Sequence, residues 1–282
     1  KFIAASVFYS GDPWDLMTGK AKVEAAVPFG TVLTLPATGS EMNKNFVITK
    51  VATEEKLALS SVYVYPKFSV LDPETTYSLP PVQTANGIVD TFVHVMEQYL
   101  TFEQHAELQD YFAESILKVL IKESKNVFKN PRDYDTRANL MWASSWGLNE
   151  WIAQGVAEDW ATHMIGHELT AFCGIDHGQT LAIVLPALMQ VMRHDKQDKI
   201  LQMGKRVVRI TEGDEDERID KTIEFVETFF RSLGVKTHLK EYGVNASVID
   251  KIVNRFEERK WNLGENKNIT PDMVRQILLL AL

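Results

Sequence analysis

Side chains able to hold a divalent metal are concentrated in two short segments. Asp90-Thr-Phe-Val-His94 sets a carboxylate and an imidazole four residues apart, and Trp160–Gly178 holds His163, His167 and His177, three of the seven histidines, within fifteen residues. If both segments are helical, Asp90 and His94 share one face, as do His163 and His167. Gly174 breaks the second helix and His177 opens a third apolar run. Carboxylate and imidazole are borderline-to-hard ligands suited to Fe(II) or Zn(II). A lone mid-helix histidine is most often structural. Here Asp90 and His94 lie among Ile88, Val89, Phe92, Val93 and Val95, and ionisable groups in such surroundings need a partner or an ion. The spacing therefore favours a metal site.

Two other chemistries are absent. His163-Met-Ile-Gly-His167 lacks the glutamate of a zincin His-Glu-x-x-His helix. There is no Gly-x-Ser-x-Gly elbow, and Cys173 has apolar neighbours that suit an inert thiol rather than a nucleophile. A second functional stretch is Thr34-Leu-Pro-Ala-Thr-Gly-Ser-Glu41. A strand ending in small and hydroxyl residues can offer N–H and O–H groups to phosphate or ribose, although a plain connection is the commoner meaning of such a loop.

The elements that must position these residues divide in two. Residues 1–10 have a helical cast before the turn at Gly11-Asp-Pro. Val27–Leu35 reads as a buried parallel strand, followed by strands at Phe46–Val51, Ser61–Tyr65 and Lys67–Asp72. From Pro80-Pro81, with Ser78 as its cap, the period becomes helical. Leu108, Phe112, Ile116, Val119 and Leu120 are expected on one buried face, and Asp135 is expected to begin the next helix. Later helices are expected near 157–171, 178–193, 197–210, 215–233, 246–259 and 270–281, one of them closed by Gly234. The boundary falls near residue 78: a 1–77 α/β domain, then a 78–282 all-helical metal-binding catalytic domain.

Composition narrows the function classes. With 282 residues and 45% hydrophobic content the chain can bury two cores. A net charge of −8 argues against nucleic acid or anionic membrane as a main partner. One cysteine excludes an internal disulfide and fits a cytoplasmic protein. No apolar run approaches the ~20 residues that span a bilayer. The start at Lys1-Phe-Ile-Ala-Ala, helix-like from its first residues, suggests that an N-terminal portion is missing.

Together the motifs amount to a family resemblance. Thr34–Glu41, Val70-Leu-Asp-Pro73, Leu79-Pro-Pro81, Gly87–His94, His163–His167 and His177-Gly178 stand in the order seen in iron-containing (group III) alcohol dehydrogenases. Trp160–Ala171 and Gln179–Pro186 resemble the branch of NADP-dependent aldehyde reductases and butanol dehydrogenases in particular.

The resemblance implies the rear of a Rossmann-like dinucleotide-binding domain followed by an all-helical, dehydroquinate synthase-like domain. It implies hydride transfer between primary alcohols or aldehydes and NADP(H), or NAD(H), at one Fe(II) or Zn(II), in a homodimer. It makes Asp90, His94, His163 and His177 the metal ligands and sets His167 beside the nicotinamide as the catalytic residue. Thr34, Asn43, Lys56 and Thr75 fall at cofactor positions, with Thr38, Ser40 and Leu79 more loosely placed. Leu35-Pro36 departs from the commoner Thr-Ala of the wider family. The Gly-Gly-Gly-Ser phosphate loop of the family is not in this sequence, which the resemblance places before Lys1. Two alternatives are an enzyme of the dehydroquinate synthase or polyol dehydrogenase type, disfavoured by the lack of clustered Lys and Arg near the metal motif, and a helical protein with a structural metal.

Overall fold

Helix-forming period after Pro81 and β-branched runs before it produce a two-part architecture, α/β and then all-helical. The computed structural model describes residues 1–282. The first part holds α1 (Phe2–Ser6), α2 (Trp14–Met17), β1 (Thr31–Val32), β2 (Asn45–Lys50), β3 (Glu55–Ser60) and β4 (Ser69–Val70). β1 pairs with β4 in parallel, Thr31 opposite Ser69, and β2 pairs with β3 as an antiparallel hairpin in which Thr49 faces Lys56. A small core of Ala5, Met17, Phe46 and Val64 joins the hairpin to α1 and α2.

The strand expectations need correction. Of Val27–Leu35 only Thr31–Val32 is strand, and Val32 is exposed rather than buried. Within Ser61–Tyr65 the chain forms a 3-10 turn over Val62–Val64, because the Ser61 hydroxyl accepts the Tyr63 N–H and closes a local turn that outcompetes a ladder. Glu55–Ser60, not anticipated as a strand, is β3; its partner strand imposes the extended form on helix-favouring Lys, Leu and Ala.

Helices follow: α3 (Pro81–Tyr99), α4 (Glu107–Val127), α5 (Tyr134–Gly147), α6 (Ala161–Cys173), α7 (His177–Val191), α8 (Gln197–Val207), α9 (Glu215–Ser232), α10 (Ala246–Glu258) and α11 (Pro271–Leu280). These lie close to the expected spans. Ser78 is not the cap of α3: Pro80 holds that position without a side-chain bond, and Pro81 at the first turn needs no N–H partner. On α4 the buried face runs through Ala113, Ile116, Leu117 and Leu120, whereas Leu108 and Phe112 are exposed. None of the helices is long and apolar enough to cross a membrane.

Two helices organise the second part. Every residue of α3 from Thr84 to Tyr99 is buried, as expected of a helix packed on all sides, here by α4, α5, α6 and α7. α7 separates two cores. Its Leu181, Ala182, Leu185 and Met189 join α3, α4, α8 and α9, while Ile183, Val184, Ala187 and Leu188 join α6, α10 and α11. Ionisable groups on α3 consequently stand in the middle of the molecule, where only mutual pairing or an ion can compensate them.

Candidate metal centre

α3 presents Asp90, His94 and Glu97 at i, i+4 and i+7, hence on one face. α6 crosses that face with His163 and His167, and α7 begins at His177. The start of α7 is fixed to α3 twice. The Asn86 amide donates to the Asp176 carboxylate at 3.1 Å, and Gly178 packs so closely that a Cβ there would lie 2.6 Å from the Asn86 carbonyl oxygen. The start of α6 is fixed by Asp159. Its backbone N–H donates to Glu97 O at 2.8 Å, and its carboxylate accepts the Ala161 N–H at 2.7 Å and pairs with the buried Lys196 ammonium at 2.7 Å.

The side chains converge on Asp90. Its Oδ1 lies 3.3 Å from His94 Nδ1, 3.5 Å from His163 Nε2 and 3.8 Å from His177 Nε2. Donors of Asp90, His163 and His177 all lie within 4.8 Å of one another. His94 stands outside that tightest set but touches it through Asp90 and stacks on His163 at 4.4 Å. His167 is next in line, its ring 5.2 Å from that of His177.

The hydrogen-bond account of these groups does not close. Asp90 Oδ1, His94 Nδ1, His163 Nε2, His167 Nε2 and His177 Nδ1 are all buried without a hydrogen-bond partner. Orphans of this kind are rare in native cores, and their clustering needs an explanation. For Asp90 Oδ1, His94 Nδ1 and His163 Nε2 a divalent cation supplies one, since ligands about 2.1 Å from a tetrahedral ion stand roughly 3.4 Å apart, close to the separations from Asp90, which His177 faces through its other nitrogen, Nε2. The donor set fits a metal.

Glu97 completes the arrangement and was not anticipated. Its carboxylate accepts the His163 backbone N–H at 2.9 Å through Oε1 and makes a short contact with His163 Nδ1 through Oε2. That contact directs the Nδ1 proton to Glu97 and turns Nε2 toward Asp90, the pairing that commonly orients a metal-binding histidine. The signal was available in the i+7 spacing from Asp90.

Charge states follow from burial and neighbours. Burial pushes Glu97 up, opposed by His163. Burial would lower His163, but Glu97 and Asp90 outweigh it and raise the imidazole to about 9. Burial lowers His94 to about 4 and His177 to about 3. Asp90 would be raised by burial, yet the surrounding His94, His177 and His163 hold it well below the usual carboxylate range. Of the three, only His163 carries charge near neutrality, so it is the principal partner. His167 is driven well below its ordinary value by burial and then by the nearby Lys56, and is therefore a neutral imidazole. Burial lowers Lys56 to about 8, while the Asp90 charge favours its ammonium form.

The hydroxyl-rich loop sits directly on α3. The Thr91 hydroxyl donates to Ala37 O at 3.1 Å, and a Cβ on Gly87 would lie 2.4 Å from Pro36 O. Thr34 and Thr38 are exposed, Ser40 is half-buried and Leu79 lines a small cleft with Pro36, Thr76 and Gln83. Two of the resemblance-derived cofactor positions are occupied structurally. The Asn43 amide donates to Thr38 O and Leu148 O, both at 2.9 Å, and its carbonyl accepts from Lys1 and the Asn45 N–H. The Thr75 hydroxyl is directed at Leu33 O and Asp72 O.

The model of the Fe-containing alcohol dehydrogenase family, C-terminal, matches residues 84–282, and that of iron-containing alcohol dehydrogenase matches residues 1–73. The chain belongs to the iron-containing alcohol dehydrogenase family. Among relatives of this family, it is 52% identical over 281 residues to the NADPH-dependent aldehyde reductase YqhD of Escherichia coli, covering 98% of this chain and 73% of the relative. It is 38% identical over 252 residues to NADH-dependent butanol dehydrogenase A of Clostridium acetobutylicum, covering 89% of this chain and 65% of that one. The crystal structure of Escherichia coli YqhD superposes with a TM-score of 0.97 at 51% identity, over 100% of this chain and 73% of that one. That of NADH-dependent butanol dehydrogenase A from Thermotoga maritima gives 0.94 at 36% identity, over 99% and 72%.

Proposed function

We propose that this chain is a metal-dependent oxidoreductase that interconverts primary alcohols and aldehydes with NADP(H), as the name of its aldehyde reductase relative describes. The observation that carries the reading is the convergence of Asp90, His94, His163, His167 and His177 from three helices, each with a buried polar atom that has no hydrogen-bond partner. Asp90, His94, His163 and His177 would hold the ion, Fe(II) or Zn(II). When bound, the ion supplies Lewis acidity toward the substrate oxygen and the nicotinamide supplies or accepts hydride.

The chain's own residues do the rest. Asp90 brings a single negative charge, and His163, cationic without an ion, would lose its Nε2 proton on binding one, so three neutral imidazoles and one carboxylate would leave a net positive site. Glu97 keeps His163 in the tautomer that presents Nε2. His167, neutral and with a free Nε2, can hold or pass a proton at that atom. The His177 side chain is 25% exposed, against 5–7% for His94, His163 and Asp90, so the site opens to solvent on that side. An opening favours catalysis over a closed structural metal. Lys56, Thr34, Thr38, Ser40 and Leu79 line the approach in this reading, with Asn43 and Thr75 holding the loop in shape. The division into 1–77 and 78–282, a homodimer and a cytoplasmic setting belong to the same proposal.

The test is NADPH oxidation by metal-loaded protein with a series of short aldehydes. Turnover that needs both metal and NADPH supports the reading, and full metal occupancy with NADPH binding but no aldehyde reduction overturns it.

A further inference from the structure

The β2–β3 hairpin carries Lys56 on a strand that packs against α6, the helix of His163 and His167. Its tip, residues 51–54, is exposed, and Glu54 takes a left-handed conformation with φ of 51°, unfavourable for a residue with a side chain. A two-stranded antiparallel ribbon is marginal in isolation. Something outside the hairpin must hold it.

Besides the small apolar core shared with α1 and α2, polar holding groups come from α10 and its C-terminal cap, some two hundred positions later. Arg255 Nη1 donates to the Glu54 carbonyl at 2.7 Å and to Glu168 Oε2 at 2.6 Å, while its guanidinium lies 4.0 Å from the centre of the Phe172 ring. Glu168 is buried and directly follows His167; Phe172 is also on α6. One turn on, at the C-terminal cap of α10, Arg259 donates to Glu55 Oε1 at 2.6 Å and packs over Trp261 at 4.8 Å. Glu55 immediately precedes Lys56. The two arginines thus bind the backbone of Glu54 and the side chain of Glu55, where the turn passes into β3, and one of them also grips the helix of the metal site.

We propose that Arg255 and Arg259 are positioning residues that lock the Lys56 hairpin onto α6, fixing the distance between the Lys56 ammonium and the metal-site histidines. Planar guanidinium forks suit this task, since each can satisfy a carboxylate and a neighbouring acceptor or ring at once. The consequence for nucleotide binding rests on the reading of Lys56 as part of the cofactor site, given under Proposed function; the mechanical lock does not.

The test pairs backbone hydrogen exchange with kinetics on the metal-loaded protein. In Arg255→Gln, amides of residues 45–60 should exchange about tenfold faster or more, with α3 amides and metal content unchanged. The nucleotide KM should rise by about threefold or more, a larger change than the fall in kcat. Arg255→Lys should restore part of both effects, and Arg255→Gln/Arg259→Gln should exceed either single change. Because Arg255→Gln leaves the buried Glu168 carboxylate unpaired, Arg255→Gln/Glu168→Gln serves as the charge-balanced version if the single variant fails to fold. Hairpin exchange at the parent rate in both versions overturns the lock. Faster hairpin exchange with an unchanged nucleotide KM overturns the link to Lys56. A parent protein that exchanges as described but reduces no aldehyde would count against the proposed function alone.

Discussion

Replacing Glu97 by glutamine should damage the metal site out of proportion to the size of the change. The two side chains are nearly isosteric, and the glutamine carbonyl can still accept the His163 backbone N–H that Glu97 takes at 2.9 Å. The remaining amide NH2 is a donor, however, where the carboxylate was an acceptor. Facing it, His163 Nδ1 must give up its proton and become the acceptor, which moves the ring proton to Nε2, the nitrogen turned toward Asp90. Loss of an outer partner of this kind costs about 10–100-fold in metal affinity, or about 1.4–2.8 kcal/mol. Glu97→Ala should differ in kind. It removes the acceptor for two buried donors and should lower stability by about 3 kcal/mol or more. The assay is competition for Zn(II) between the metal-free protein and a chromophoric chelator, with thermal unfolding run alongside. Glu97→Gln that binds Zn(II) as tightly as the parent would refute the role given to this carboxylate.

Two further outcomes are expected. Gly178→Ala would press a Cβ within 2.6–3.0 Å of Asn86 backbone atoms and push the start of α7 away from α3; overpacking against backbone typically costs about 1–3 kcal/mol, and weaker metal binding should accompany the drop in thermal stability. Metal-free protein should lose stability as pH falls from 6.5 toward 3. His94 and His177, held neutral in the fold down to about 4 and about 3, bind protons sooner in the unfolded chain, which penalises folding by an amount on the order of 3–5 kcal/mol for each. His163, raised to about 9, is already protonated across that window and adds no slope there. Denaturant midpoints that stay flat between pH 6.5 and 4 would contradict these assignments.

How much of this was legible in sequence depended on whether the governing contacts were local. The helices after Pro81 were placed to within a few residues because the apolar period is written in neighbouring positions; the caps Asp133, Asp214 and Thr270, equally local, were found only in the structure. The grouping of Asp90, His94, His163 and His177 followed from spacing plus family resemblance. The strands were less legible: Ser61–Tyr65 has strand composition, but a serine hydroxyl decided for a turn. β3 exists because β2 pairs with it, a contact that composition does not encode. Glu97 lay within reach, one turn beyond His94, whereas the Arg255 contacts with Glu54 and Glu168 join segments that no local pattern connects.

The most direct test of the account is the metal content of two histidine variants four residues apart on α6. Parent protein, His163→Ala and His167→Ala are each stripped, reloaded with Zn(II) or Fe(II) and counted for bound metal per chain, with NADPH-dependent aldehyde reduction measured on the same samples. His167→Ala is expected to keep one ion per chain and lose rate, and His163→Ala to lose both. Full metal occupancy in His163→Ala, or loss of the ion in His167→Ala, would contradict the division of labour between these two histidines.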